Sequence, residues 1–127
     1  MILASNISCK RGNNLIFENL NFKIEDGVAT IISGKNGSGK TSLLRILANL
    51  LKPKKGDIIW KGKSIYKNID EYHKELTYIA DINCSKENLS VYENMKFWKN
   101  LYKSSISNDL FLKLLSNIDL DNYINER

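Results

Sequence analysis

The 127-residue chain is 43% hydrophobic and 26% charged, ordinary for a folded globular protein, and its net charge is +5. At this length it forms one domain at most, able to bury about two-thirds of the surface its unfolded form exposes, and its composition excludes a disordered chain. Two cysteines, Cys9 and Cys84, and one histidine, His73, stand alone in the sequence, which leaves neither a disulfide framework nor a zinc-ligand spacing.

The cysteines read as free thiols in a reducing compartment, and His73 as a surface side chain. The positive charge comes from scattered lysines with one tight cluster, Lys52, Lys54 and Lys55. A solvated basic face accounts for it, although an anionic membrane leaflet or nucleic acid would suit it too. Met1-Ile2-Leu3-Ala4 lacks a basic leader and runs quickly into polar residues, so no signal peptide is expected. No apolar run approaches the length of a membrane span.

Residues 2–9 and 19–24 have strand character, separated by the turn residues Arg11, Gly12, Asn13 and Asn14. Phe22 and Ile24 alternate with Asn21, Lys23 and Glu25, the pattern of a half-buried strand. A turn at Glu25-Asp26-Gly27 feeds residues 28–33, a continuous apolar run expected to be a strand covered on both faces.

Gly34-Lys35-Asn36-Gly37-Ser38-Gly39-Lys40-Thr41 follows, and it fits G-x-x-x-x-G-K-[ST] between a strand-like and a helix-like run. Glycines let the backbone turn sharply and let its N–H groups approach phosphate oxygens. Lys40 can reach the β- and γ-phosphates. Thr41 opens a helix whose positive end favours the same anion, and its hydroxyl is placed to ligate Mg²⁺.

Beyond the loop, Leu43, Leu44, Ile46, Leu47, Leu50 and Leu51 form a helical apolar stripe that Pro53 is expected to end. Residues 56–63 read as a strand entering a tight turn, and residues 76–80 as another strand. Ser90-Val91-Tyr92-Glu93 is a capping box opening a helix with Val91, Met95, Trp98 and Tyr102 on one face. Leu110, Phe111, Leu114, Leu115 and Ile118 repeat the pattern in a last helix. Both stripes are expected to be core or subunit-contact faces.

Taken together, these segments resemble the ATP-binding subunit of ABC transporters. Residues 34–41, continuing into Ser42-Leu43-Leu44-Arg45-Ile46-Leu47, resemble the family's Walker A motif and helix, Pro53-Lys54-Lys55-Gly56-Asp57-Ile58 the strand entry after it, and Glu93-Asn94 the start of its helical subdomain. Within the family, Arg11-Gly12, Phe17-Glu18-Asn19-Leu20, Ile59-Trp60-Lys61-Gly62 and Glu93-Asn94-Met95-Lys96-Phe97-Trp98 look most like the haem exporter subunit of cytochrome c maturation. The resemblance implies an α/β fold: a P-loop NTPase core of the ABC type with an N-terminal antiparallel β segment and the start of a helical subdomain, C-terminally incomplete. Residues 1–85 would be the β segment and Walker A core, and residues 86–127 the start of the helical subdomain.

By the same resemblance, ATP and Mg²⁺ are the expected cofactors. Gly34, Lys35, Asn36, Gly37, Ser38, Gly39, Lys40, Thr41 and Ser42 would bind the nucleotide, and Thr41 would hold the metal through it. Where the family often stacks an aromatic ring on adenine, this chain has Arg11. Arg11 either stacks its guanidinium on the purine or serves only the turn, and Phe17 is a second candidate for adenine contact. Ile82, flanked by Asp81 and Asn83, stands where the family usually has a glutamine that senses Mg²⁺, and isoleucine cannot ligate a metal. The family's signature, its apolar strand ending in Asp-Glu and its switch histidine would all fall beyond Arg127. No catalytic residue is therefore expected within the chain, and hydrolysis by it is expected to be slow.

The expected partners are transmembrane transporter subunits and a second ATP-binding subunit that dimerises on ATP, at the cytoplasmic side of the inner membrane, with no direct nucleic acid contact. Two other readings are a nucleotide-binding remnant without turnover and a soluble ABC ATPase acting on nucleic acid. The haem-exporter-like segments argue against the latter. Residues 28–33 would have an open apolar edge, which predicts a marginal or aggregation-prone chain.

Overall fold

The computed structural model describes residues 1–80, 85–102 and 104–126. The chain divides into two compact units, Met1–Ile79 and Ala80–Arg127.

The first unit is built on four antiparallel strands in the order β2-β1-β3-β4: β1 (Ile2–Arg11), β2 (Asn14–Ile24), β3 (Lys55–Trp60) and the two-residue β4 (Lys63–Ser64). Ile2 lies opposite both Ile24 and Trp60. Simple alternation fails within β1, because Asn6 takes a left-handed φ of 52° and the register shifts between Ala4 and Ile7. Such a bulge turns the following residues over, so Ile7 and Cys9 are buried as Ala4 is. Side chains stitch the irregularity: Asn6 N–H donates to Asn21 Oδ1 at 2.8 Å, and Asn19 N–H to Ser8 Oγ at 3.1 Å.

One helix, α1 (Lys40–Leu47), packs its Leu43, Ile46 and Leu47 into the core with Ile7 and Ile58. Each fully buried aliphatic side chain contributes roughly 1.5–3 kcal/mol. The helix stops earlier than Pro53 suggests. Asn49 takes a left-handed φ of 54° just past its end, and Leu50 and Leu51 N–H groups donate back to the Arg45 carbonyl at 2.8 and 3.1 Å. That closure satisfies end carbonyls as a glycine cap would, and it leaves Leu50 and Leu51 outside the stripe and exposed.

A short helix that the sequence did not announce, α2 (Ile69–Lys74), buries Tyr72. The Tyr72 hydroxyl donates to the Leu47 carbonyl at 2.7 Å, and its ring meets Trp60 edge-on at 5.4 Å.

Two expected strands are not in the sheet. Residues 28–33 and 76–80 form no ladder among the described residues, and Ile31 and Ile79 are 90% and 87% exposed. An apolar run becomes a strand only where a neighbour accepts its backbone hydrogen bonds, and no described strand lies beside either.

The second unit holds α3 (Val91–Leu101) and α4 (Asn108–Ser116). The capping box forms: Ser90 Oγ accepts from Glu93 N–H at 3.3 Å and Glu93 Oε2 from Ser90 N–H at 2.8 Å. The Asn94 amide ties the preceding loop to the helix, accepting from Lys86 N–H at 2.7 Å and donating to the carbonyls of Lys86 and Leu89 at 3.0 Å. Two further N–H groups of the first turn, Val91 and Tyr92, donate to the carbonyls of Glu126 and Ile124. The stripes are only half core-facing. Phe111 and Leu115 are buried while Leu110, Leu114 and Ile118 are exposed, and Tyr102 is 76% exposed. Apolar residues on several sides of the nine-residue α4 cannot all face one way.

Candidate functional site

Residues 34–39 carry the chain into α1 through a run of unusual backbone, with φ of 154° at Gly34, 82° at Gly37 and 97° at Gly39. Gly39 is the N-cap of α1, and a Cβ there would come within 2.5 Å of Ile16 Cγ2 and 3.0 Å of Phe17 Cδ1. Only glycine meets both the left-handed conformation and the close approach to β2. The loop is thus seated on the hairpin at its base.

Among the described residues no side chain caps the start of α1, and its first turn holds no acidic residue. The orphan N–H groups and the positive end of the helix dipole therefore remain available to an anion. Lys40 folds back over the loop, its Nζ donating to the carbonyls of Gly34 at 2.7 Å and Lys35 at 3.0 Å. Its charge is held at the mouth of the loop. Ser38 N–H donates to the Lys35 carbonyl at 3.2 Å and closes the turn.

The concavity in front of this loop measures 330 Å³, and Arg11, Asn36, Gly37, Gly39, Lys40, Thr41 and Ser42 line it with Ile16. The structure thus brings Arg11 beside the loop. Phe17 does not line that concavity, because its ring packs behind Gly39 and against the core. Gly34 and Lys35 contribute carbonyls to Lys40. Among the described residues the Thr41 and Ser42 hydroxyls have no hydrogen-bond partner, no carboxylate lines the concavity, and no group of three or more His, Cys, Asp or Glu residues could hold a metal ion. Magnesium arriving with a nucleotide fits this donor set, since the unpartnered Thr41 hydroxyl is free to ligate it.

Positive charge is in surplus around the opening. Lys54 is held below the usual lysine range by its side-chain contact with Lys10, then by the charges of Lys10 and Lys55. None of Lys10, Arg11, Arg45 or Lys54 forms an ion pair among the described residues.

One residue at this site escapes a motif reading. Ile16 arrives through the register of the β1–β2 hairpin, which the sequence pattern does not disclose. The expectations for Asp81, Ile82, Asn83 and Cys84 fall outside the described residues. Cys9 is a buried free thiol and His73 is exposed.

Comparison with known proteins agrees with this geometry. The chain is 40% identical over 120 residues to the cytochrome c biogenesis ATP-binding export protein CcmA of Dechloromonas aromatica, covering 94% of this chain and 59% of that protein. It is 44% identical over 98 residues to the CcmA of Wolbachia pipientis, covering 77% of this chain and 47% of that one. The chain thus spans between about half and three-fifths of these relatives. Its fold superposes with a TM-score of 0.76, at 22% identity, on a dimeric ATP-binding cassette in a post-hydrolysis state bound to ADP and phosphate, covering all of this chain and 61% of that one. With an uncapped helix behind a glycine-rich loop, and with the ABC transporter family model matching residues 17–127, the chain belongs to the ABC transporter family.

Proposed function

We propose that residues 34–42 bind the triphosphate of Mg-ATP, and that the chain is part of the ATP-binding subunit of an ABC exporter serving c-type cytochrome biogenesis, with haem or a haem-maturation substrate as cargo. One observation carries the binding step: α1 begins without a cap or an acid, with Lys40 poised over its N-terminal loop. The triphosphate lies along the loop N–H groups. Lys40 leaves the Gly34 and Lys35 carbonyls to pair with the outer phosphates, and the Thr41 hydroxyl faces the metal. Magnesium bound with the nucleotide offsets phosphate charge.

These residues hold the nucleotide but do not activate water. No carboxylate among the described residues lines the concavity, so the 127-residue chain turns over negligibly. Dimerisation is supported by the dimeric cassette on which the fold superposes, and export by the names of the relatives. In this reading transmembrane partner subunits carry the cargo and this subunit is peripheral on the cytoplasmic face, which the relatives' printed role in export supports; among the described residues no helix is long and apolar enough to cross a membrane. The second unit is the start of the helical subdomain.

The test is a fluorescent-nucleotide titration of the chain and of Lys40→Ala. Losing charge-assisted hydrogen bonds worth about 1.5–3 kcal/mol weakens binding roughly 10- to 150-fold. Equal affinity in the variant would remove the loop from the site.

A further inference from the structure

The lysine cluster after α1 plays no part in the phosphate cradle, yet the fold gives it a defined place. Between Asp26 and Asp57 the chain has no acidic residue, and Lys52, Lys54 and Lys55 close that stretch. All of the net positive charge lies in Met1–Ile79, which holds thirteen basic residues against seven acidic. Lys54 N–H donates to the Ser8 carbonyl at 2.7 Å, and Lys55 lies opposite Ser8. The cluster is thereby laid along the end of β1, where the Lys10 side chain meets that of Lys54. All four lysines are exposed, and none forms an ion pair among the described residues. Glu18 is the acid whose charge reaches Lys54.

Two apolar side chains stand in the same segment. The left-handed turn at Asn49 closes α1 and puts Leu50 and Leu51 outside its buried stripe, 60% and 36% exposed, immediately before Lys52. Exposed leucine beside unpaired lysine suits the boundary of an anionic bilayer, where leucine reaches the acyl chains while the ammonium groups stay at the headgroups. Nucleic acid would take the charge and leave the leucines in water. Its duplex form is held through phosphates, and its single strands stack on aromatic rings, of which residues 44–56 have none.

We propose that residues 50–55, with Lys10, form a docking surface for an anionic lipid leaflet, Leu50 and Leu51 entering the boundary between headgroups and acyl chains and the four lysines facing the lipid headgroup anions. The chain then holds the membrane directly, beyond any hold through partner subunits. This surface stands apart from residues 34–42 and does not depend on how they are read.

Co-sedimentation of the 127-residue chain with vesicles of phosphatidylcholine alone, and of a two-to-one mixture of phosphatidylcholine and phosphatidylserine, tests this. Three variants accompany it, with melting curves to show that each folds: Lys52→Gln/Lys54→Gln/Lys55→Gln, Leu50→Ser/Leu51→Ser, and, as a control for net charge, Lys63→Gln/Lys67→Gln/Lys74→Gln at three exposed lysines around β4 and α2. The parent chain should bind the mixed vesicles and bind the neutral ones at least about tenfold more weakly. Each lysine near such a surface strengthens binding roughly fivefold, so the cluster variant should lose on the order of a hundredfold and the control less than about fivefold. The leucine pair should lose at least about tenfold. Equal binding of the parent chain to both vesicles overturns the assignment, as do equal losses in the two lysine variants or undiminished binding in the leucine pair. A random-sequence DNA duplex that binds the parent chain as tightly as the mixed vesicles, at matched phosphate concentration and salt, overturns it in favour of nucleic acid. The vesicle and duplex comparisons need no variant, so the proposal stays open to refutation even where a substitution prevents folding.

Discussion

Replacing Gly39 by alanine separates two costs that usually arrive together. At φ of +97° an L-residue carries a conformational cost of about 1–2 kcal/mol, and here the new Cβ would also sit 2.5 Å from Ile16 Cγ2 and 3.0 Å from Phe17 Cδ1. Ile16 and Phe17 are partly buried and pack against the core, so displacing them disturbs that packing. Forcing a methyl group into such packing costs about 1–3 kcal/mol more. Gly37→Ala is the control, because its φ is +82° and no atom of the described residues lies within 4 Å of the added carbon. It should cost only the conformational part. Urea unfolding followed by circular dichroism should place Gly39→Ala about 1–3 kcal/mol below Gly37→Ala, with each kcal/mol lowering the melting temperature about 4–8 °C for a cooperative unit of this size. If the two variants unfold within about 0.5 kcal/mol of each other, β2 does not support the loop in the way described.

Three other perturbations follow from single side chains. Burial, with Asp57 and Tyr72 behind it, pushes the Tyr66 hydroxyl up to about 12, and that hydroxyl has no hydrogen-bond partner among the described residues. Its stabilising share is complete below the unfolded value near 10 and is lost as pH rises through about 12, so Tyr66→Phe should shallow the alkaline unfolding limb. An unchanged limb would count against it. Tyr72→Phe removes the buried bond to the Leu47 carbonyl and should cost about 0.5–1.5 kcal/mol in urea unfolding, whereas a neutral result would mean water replaces the hydroxyl. Ser90→Ala breaks the capping box and should lower the stability of the second unit by about 1 kcal/mol, read as faster amide exchange at Glu93, with unchanged exchange counting against the cap.

Local chemistry was legible in the sequence, and pairing was not. The phosphate loop, the turn at Gly12 and Asn13, and the Ser90–Glu93 box each depend on residues a few positions apart, and each stands where its pattern put it. The stop of α1 at Asn49 was hidden because asparagine reaches the left-handed region less often than glycine, so Pro53 looked like the stronger signal. The bulge at Asn6 was hidden because it breaks the two-residue period by which strands are recognised. Residues 28–33 and 76–80 have strand composition without a described neighbour, and composition specifies burial, not partners. At the site, the family resemblance placed Arg11 near the loop, while Phe17 packs behind Gly39 and Ile16, which no reading named, lines the opening, because hairpin register decides which of two adjacent side chains faces it.

The two bonds from Lys40 to the loop carbonyls bear on the entropy of recognition. A free lysine side chain has about 1.5–2 kcal/mol of rotamer freedom to lose when it is fixed. Here that freedom is already restricted by Gly34 and Lys35, so an arriving phosphate exchanges one set of acceptors for another and leaves the order of the side chain much the same. Affinity at this loop is then a difference between two polar environments, carbonyl and phosphate, and the ordering cost of the lysine is met in folding instead of in binding.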